Sequence, residues 1–217
     1  MEIEKLPTII SAMQNDIAQL KNKVNTLTGE KTSGEVRLLL KSGDIDRIDE
    51  LDGKLYDIGE VDGIIISTLD GREFLIYPKY KECPLLKDER IKSWKAKSMT
   101  EIESLYAKCD GEQETDDLKA IGSPAAMWVR NVAVHRKFNI PGDVLVAIAV
   151  IRHLDEINAI AEHIEGADKL NKNSSVWSCS RCYSNYGWCA YGFNGYAYGT
   201  ALGNSYLAVP LVLYKKA

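Results

Sequence analysis

Residues 174–214 read SSVWSCSRCYSNYGWCAYGFNGYAYGTALGNSYLAVPLVLY, and the reading of this stretch decides the fold. Seven of its residues are tyrosine, and those between them are almost all Gly, Ser, Asn, Ala or Cys. It holds no acid, and Arg181 is its one base. Gly187, Gly192, Gly195, Gly199 and Gly203 recur too often for a helix, since each interior glycine costs about 1 kcal/mol relative to Ala. The stretch therefore reads as strand and loop, closing in an apolar strand over residues 209–214. Cores are ordinarily built from Leu, Ile and Val. Contact surfaces are built from Tyr, a rigid amphipathic ring with little entropy to lose, set among Ser, Gly and Asn that adapt their hydrogen bonds. The composition points to recognition.

Upstream, residues 144–163 are the most apolar part of the chain, and His153, Asp155, Glu156 and Asn158 divide them into a helix pair. Pro141-Gly142-Asp143 stops and restarts the chain before that pair. Residues 124–136 place Ala125, Ala126, Val129, Val132 and Ala133 on one helical face, with Pro124 suited to the first turn. A further helix is expected over residues 99–108, with Thr100 as its N-cap. Residues 63–80, GIIISTLDGREFLIYPKY, read as a β-hairpin with strands at 64–67 and 73–77. Asp70-Gly71 supplies a two-residue turn and Pro78 ends the second strand. Residues 36–40 form a short strand, and residues 44–52 are acidic and turn-rich.

At the N-terminus, Leu6, Met13, Leu20 and Leu27 alternate with Ile10, Ile17 and Val24 in steps of four and three. This period of 3.5, with β-branched residues at a and Leu or Met at d, is that of a parallel coiled coil. Residues 6–27 are therefore expected to join chains as a homo-oligomer, dimer or trimer, with Asp16 and Lys21 able to pair between them. The expected organisation is a coiled-coil helix over 1–28, a linker or anchor with a short strand over 29–58, and an α+β binding domain over 59–217.

The chain has 217 residues, 45% hydrophobic and 27% charged, which is a globular composition. A formal net charge of −4 gives no basis for nucleic-acid binding. No apolar run approaches a membrane span, and residues 1–10 lack the apolar segment of a signal peptide. Synthesis in a cytoplasm, without membrane insertion and with the five cysteines reduced, is expected.

Cys179, Cys182 and Cys189 contain one C-x2-C pair, but a zinc site needs a fourth ligand that the neighbouring sequence does not supply. They read better as cysteines of a display loop. His135, His153 and His163, all on expected helices, read as capping or core-edge residues rather than as the base of a cysteine nucleophile. The acids around 44–50 and 112–117 have no calcium-loop spacing and read as solvated surface. No metal or cofactor is expected. Trp177 and Trp188 are rings suited either to stack on a sugar or to pin the tyrosine-rich segment into the core.

The order of these segments resembles a known family. A β-hairpin, then SPAAMWVRN, then IPGDVLVAIAVIRHLDEINAIAEHI, then VWSCSRCYSNYGWCAYGFNG and a closing AVPLV is similar to the C-type-lectin-fold variable proteins of diversity-generating retroelements. It is also similar to related host-binding proteins of bacteriophages. Trp177, Ser178, Trp188, Gly195 and Pro210 stand at the fixed points of that pattern, and the resemblance covers residues 60–217. Val209 stands where the family pattern has Arg. In that family, adenine-targeted mutagenesis draws the intervening residues from a set rich in Asn, Tyr, Ser, Gly, Cys, Arg, Thr and Ala. Cys179, Cys182, Cys189 and Thr200 belong to that set here.

The resemblance implies a C-type-lectin-like domain carried on the N-terminal helix. The implied function is non-enzymatic: a phage virion protein, of head or tail fibre, attaching to a host surface protein or glycan. Its N-terminus would meet other virion proteins. The implied binding residues are Arg181, Tyr183, Asn185, Tyr186, Tyr191, Asn194, Tyr196, Tyr198, Asn204 and Tyr206. A structural decoration of the virion, and a formylglycine-generating type of enzyme on the same fold, are the alternatives.

Overall fold

The computed structural model describes residues 36–87, 92–95, 108–183, 186–192 and 196–215, with Tyr183 described by its backbone alone. The heptad segment lies outside them, as does all but the last residue of the expected helix at 99–108. The described residues form an α+β structure of four helices and twelve strands. No helix among them is long and apolar enough to cross a membrane.

The first sheet has five antiparallel strands in the order β12-β5-β4-β1-β2. They are β1 (Arg37–Leu40), β2 (Ile45–Arg47), β4 (Val61–Ser67), β5 (Glu73–Ile76) and β12 (Leu211–Leu213). The second has the order β10-β9-β8-β11-β6, formed by β6 (Lys81–Pro84), β8 (Val176–Tyr183), β9 (Tyr186–Ala190), β10 (Ala197–Ala201) and β11 (Ser205–Ala208). Only β8 and β11 run parallel within it. A short parallel pair joins β3 (Tyr56–Asp57) to β7 (Ile164–Glu165).

The β4–β5 hairpin occurs where the two short apolar runs place it, but its connection differs from expectation. Thr68 N–H donates to Arg72 O at 2.8 Å and Gly71 N–H to Thr68 O at 3.0 Å. With Gly71 at φ +83°, this is a three-residue loop built on a turn and a left-handed glycine. Residues 36–58 do not behave as a linker: β1 lies between β4 and β2, and Leu38 and Leu51 are fully buried.

The expected helix pair forms as α3 (Val144–Arg152) and α4 (Leu154–Ala161), broken at His153. Asp143 caps α3 by accepting from Val146 N–H at 3.2 Å. Most of α3 is buried on every side, as its nearly continuous apolar sequence requires. It lies between the sheets, against β4, β8 and β9.

Two helices depart from the sequence reading. Helix α1 (Glu112–Ala120) forms where the acids suggested only solvated surface, burying Thr115 and Leu118. Helix α2 (Pro124–Val129) starts at the expected proline, with Ser123 as its cap, but ends seven residues before 136. Arg130 explains the early stop. Its guanidinium donates to Asp116 Oδ1 (2.9 Å), Glu112 O (2.8 Å), Phe138 O and Asn139 Oδ1, and so ties α1 to the chain that follows α2. The side chain is 3% exposed, and a buried cation is tolerated because its donors are used in this way.

The second sheet has a core on each face. Val176, Cys182, Trp188 and Ala190 join α3, α4 and the first sheet. Trp177, Cys179 and Cys189 join α1, α2, Phe138 and Ile140. Successive strand residues point to opposite faces, so a strand covered on both sides buries nearly every position.

Candidate binding surface

Strands β9 and β10 form the hairpin that carries most of the expected binding residues. Ala197 faces Ala190 and Ala201 faces Tyr186, and Tyr191 N–H donates to Tyr196 O at 2.9 Å beyond the end of the ladder. Tyr186, Tyr191 and Tyr196 are exposed, at 45%, 41% and 49%. They do not form one patch. Tyr186 opens β9, while Tyr191 and Tyr196 close the far end of the hairpin. Five residues of strand separate the two ends, about 17 Å at the usual rise.

Tyr198 and Tyr206 are half-buried and serve as the mounting. Tyr191 meets Tyr198 edge to face with centroids 5.9 Å apart, and Tyr198 meets Tyr206 at 6.2 Å. Tyr206 then meets Trp177 at 5.0 Å, and Trp177 is wholly buried. Tyr198 OH donates to Ser175 Oγ at 3.0 Å, and burial pushes its phenol well above the usual tyrosine range. The Tyr206 hydroxyl lies 3.2 Å from Thr200 Oγ1, and Asn204 Nδ2 donates to both oxygens. Each edge-to-face ring pair contributes about 0.5–1.5 kcal/mol beyond its buried area. The exposed Tyr191 is thereby coupled to the core through three rings.

Arg181 is half-buried. Its Nη1 donates to Trp94 O at 3.2 Å, and its guanidinium lies 5.6 Å over the Trp94 ring. Nothing in the local pattern singles out Trp94, which sits in a basic segment with no apolar period. Ser175, the partner of Tyr198, was equally unmarked. Asn204 is exposed at the β10–β11 turn, Tyr183 pairs with Tyr186 through the backbone, and Asn185 and Asn194 lie outside the described residues.

The cysteines need a correction. Cys179, Cys182 and Cys189 are buried, as is Thr200, so none of the four is a display residue. The C-x2-C pair splits across the sheet, Cys182 joining one core and Cys179 the other. Burial pushes the Cys189 thiol up to about 12 and Cys83 to about 11, and raises Cys179 as well. Among the described residues, no three His, Cys, Asp or Glu side chains are placed to hold a metal ion.

The histidines lie off the expected helices, with His153 at the cap position between α3 and α4 and His135 at the edge of the core. None lies within a helix. His153 joins α3 to α4 with Nε2 at 3.1 Å from Ser67 O, and His163 follows α4 with Nδ1 at 3.0 Å from Lys54 O. His135 lies 3.3 Å from Asp62 and packs on Tyr77 and Phe138. The acidic clusters are partly neutralised by cations. Asp46 pairs with Lys54 at 3.0 Å, and Glu112 and Asp116 pair with Lys137 at 3.0 and 2.8 Å.

No family model matches this chain, and no curated protein or solved structure is significantly similar to it.

Proposed function

We propose that this chain is a non-enzymatic attachment protein of a bacteriophage virion, of head or tail fibre, with a C-type-lectin-like domain that presents tyrosines to a host surface protein or glycan. The observation that carries the proposal is the exposure of Tyr186, Tyr191 and Tyr196 on a hairpin pinned through Tyr198, Tyr206 and Trp177. A large ring held rigidly in water is what a binding hot spot requires, since little side-chain freedom remains to be lost on contact.

The segments that carry the family resemblance also support it. Hairpin β4–β5, α2, α3–α4 and β8–β9 follow in that order, and the closing strand β12 returns to pair with β5. Recognition without chemistry is favoured by the thiols of Cys83, Cys179 and Cys189, which burial keeps protonated and so poorly nucleophilic at neutral pH. In this reading residues 6–27 join two or three chains, and several identical heads turn weak single contacts into avid attachment.

The test is adsorption of the full chain to cells of the bacterium that produces it. Tyr191→Ala combined with Tyr196→Ala is expected to weaken adsorption at least tenfold while the chain still unfolds cooperatively in urea, destabilised by about 0.5–1.5 kcal/mol through loss of the Tyr191–Tyr198 contact. Undiminished adsorption by that folded variant would overturn the proposal.

A further inference from the structure

A strand at the rim of a sheet carries unpaired N–H and C=O groups that another chain can extend, and proteins ordinarily blunt such rims with charge, proline or a covering segment. The two five-stranded sheets end in β12, β2, β10 and β6. Strand β2 carries Asp46 and Arg47, and β6 carries Lys81, Glu82 and Pro84. Strand β12 is covered by Asn139, whose N–H donates to Leu211 O at 2.7 Å and whose carbonyl accepts from Leu211 N–H at 2.9 Å. Strand β10 reads AYGTA, with no charge and no proline, and no described residue covers it.

The direction of its backbone groups follows from the ladder. Hydrogen-bonded and non-bonded pairs alternate along an antiparallel pair. Tyr191 and Tyr196 are a bonded pair, so in the same register Tyr198 and Thr200 turn their backbone groups toward β9. Ala197, Gly199 and Ala201 turn theirs outward. Asn204 N–H takes the Ala201 carbonyl at 3.0 Å, which leaves the Ala201 N–H and both groups of Ala197 and Gly199. Gly199 adds no side chain to the middle of this rim, because a Cβ there would stand 2.7 Å from Cys182 Sγ.

We propose that β10 is a docking rim for an extended, uncharged strand of a foreign polypeptide. The strand pairs with Ala197, Gly199 and Ala201, and the tyrosines at the two ends of the hairpin hold its side chains. The proposal rests on the attachment reading above and narrows its ligand from protein or glycan to protein. A row of alternating donors and acceptors repeating every second residue, about 7 Å, is matched by another extended backbone. The rim runs from Tyr196 to the residue facing Tyr186, so one short strand reaches both tyrosine ends. Residues 174–214 contain no acid, and their one base, Arg181, is turned onto Trp94, so the tyrosine-rich segment that carries the rim offers no charge to select a charged partner.

The test uses the full chain, a displayed library of linear seven-residue peptides, and a glycan array. Ala197→Pro removes one outward N–H and leaves the β9–β10 bonds in place, the one kind of strand position that tolerates proline. Selected peptides are expected to be uncharged and to bind this variant at least tenfold more weakly. In the unsubstituted protein they are expected to slow amide exchange at Gly199 and Ala201 at least tenfold, a readout that does not depend on the variant folding. If peptides or glycans lose binding on Tyr191→Ala with Tyr196→Ala yet ignore Ala197→Pro and leave those amides unchanged, strand addition falls and the tyrosine surface stands. If no ligand responds to either change, both fall. If those amides are already protected in the protein alone, and Ala197→Pro both releases them and lowers the oligomer mass, the rim belongs to a second copy and the proposal is overturned.

Discussion

The Tyr206 phenol meets the Trp177 indole edge to face, centroids 5.0 Å apart and planes at 66°, and this contact joins the solvent-facing rings to the core. Trp177 is wholly buried, with Nε1 donating to Cys83 O at 3.0 Å. Trp177→Ala is expected to cost about 4 kcal/mol in urea unfolding. Tyr206→Phe, which loses only the hydroxyl shared with Thr200 and Asn204, should cost about 1 kcal/mol.

Gly199 and Cys182 test how tightly β10 closes over the sheet. A Cβ at 199 would lie 2.7 Å from Cys182 Sγ and 3.3 Å from its Cβ. Gly199→Ala is expected to destabilise by about 1–3 kcal/mol through overpacking. Adding Cys182→Ala removes the sulfur and should recover part of that loss, so the two substitutions are non-additive in a double-mutant cycle.

Stability should fall at alkaline pH. Burial raises the thiols of Cys179 and Cys189 above the ordinary value of 9.0, Cys189 to about 12. The native state then holds protons that the unfolded chain has released, so the stabilisation is complete below the ordinary value and is lost as pH rises toward the folded one. Each of these two thiols contributes a slope of about 1.4 kcal/mol per pH unit in that window. Urea midpoints measured from pH 8 to 10 should drop, and Cys189→Ala should flatten the decline. Iodoacetamide at pH 8 should leave Cys179 and Cys189 unmodified until the chain is unfolded.

Arg72 and Asp143 link the β4–β5 loop to the start of α3. Nη1 stands 3.0 Å from Oδ2, where charge attraction rather than an aligned hydrogen bond holds the two atoms together. Asp143 is wholly buried and also caps the helix. Asp143→Ala removes the cap and one of the two carboxylates facing Arg72, which keeps Asp70 at 3.0 Å, and is expected to cost about 2–4 kcal/mol by urea unfolding. Losing the cap alone would cost about 1 kcal/mol, so a value that small would mean the ion pair contributes nothing.

Where residue type and period agreed, the sequence was readable. The β4–β5 hairpin follows from two apolar runs on either side of Asp70-Gly71, and the break between α3 and α4 from the polar cluster at His153. Helix α1 was missed because EQETDDLKA buries only Thr115 and Leu118, and Gly111 offers no side-chain cap. The stop of α2 depends on what Arg130 reaches in space, which no local pattern encodes. The tyrosine-rich segment was half legible. Its rings at the hairpin ends face water, as the composition indicates. Its cysteines and Thr200 looked equally like surface, and became core because helices cover the second sheet on both faces. Small, weakly polar residues suit either environment, so only the tertiary arrangement decides.

The two-faced second sheet restricts how the chain can change in length. Inserting one residue within β8 or β9 would send Trp177 and Cys189 into the space shaped for Val176 and Trp188, scrambling both cores at once. An insertion at the hairpin tips moves no core side chain. Natural variants of this protein should therefore differ in length at the connections around residues 184 and 193, while the strands between keep a constant count.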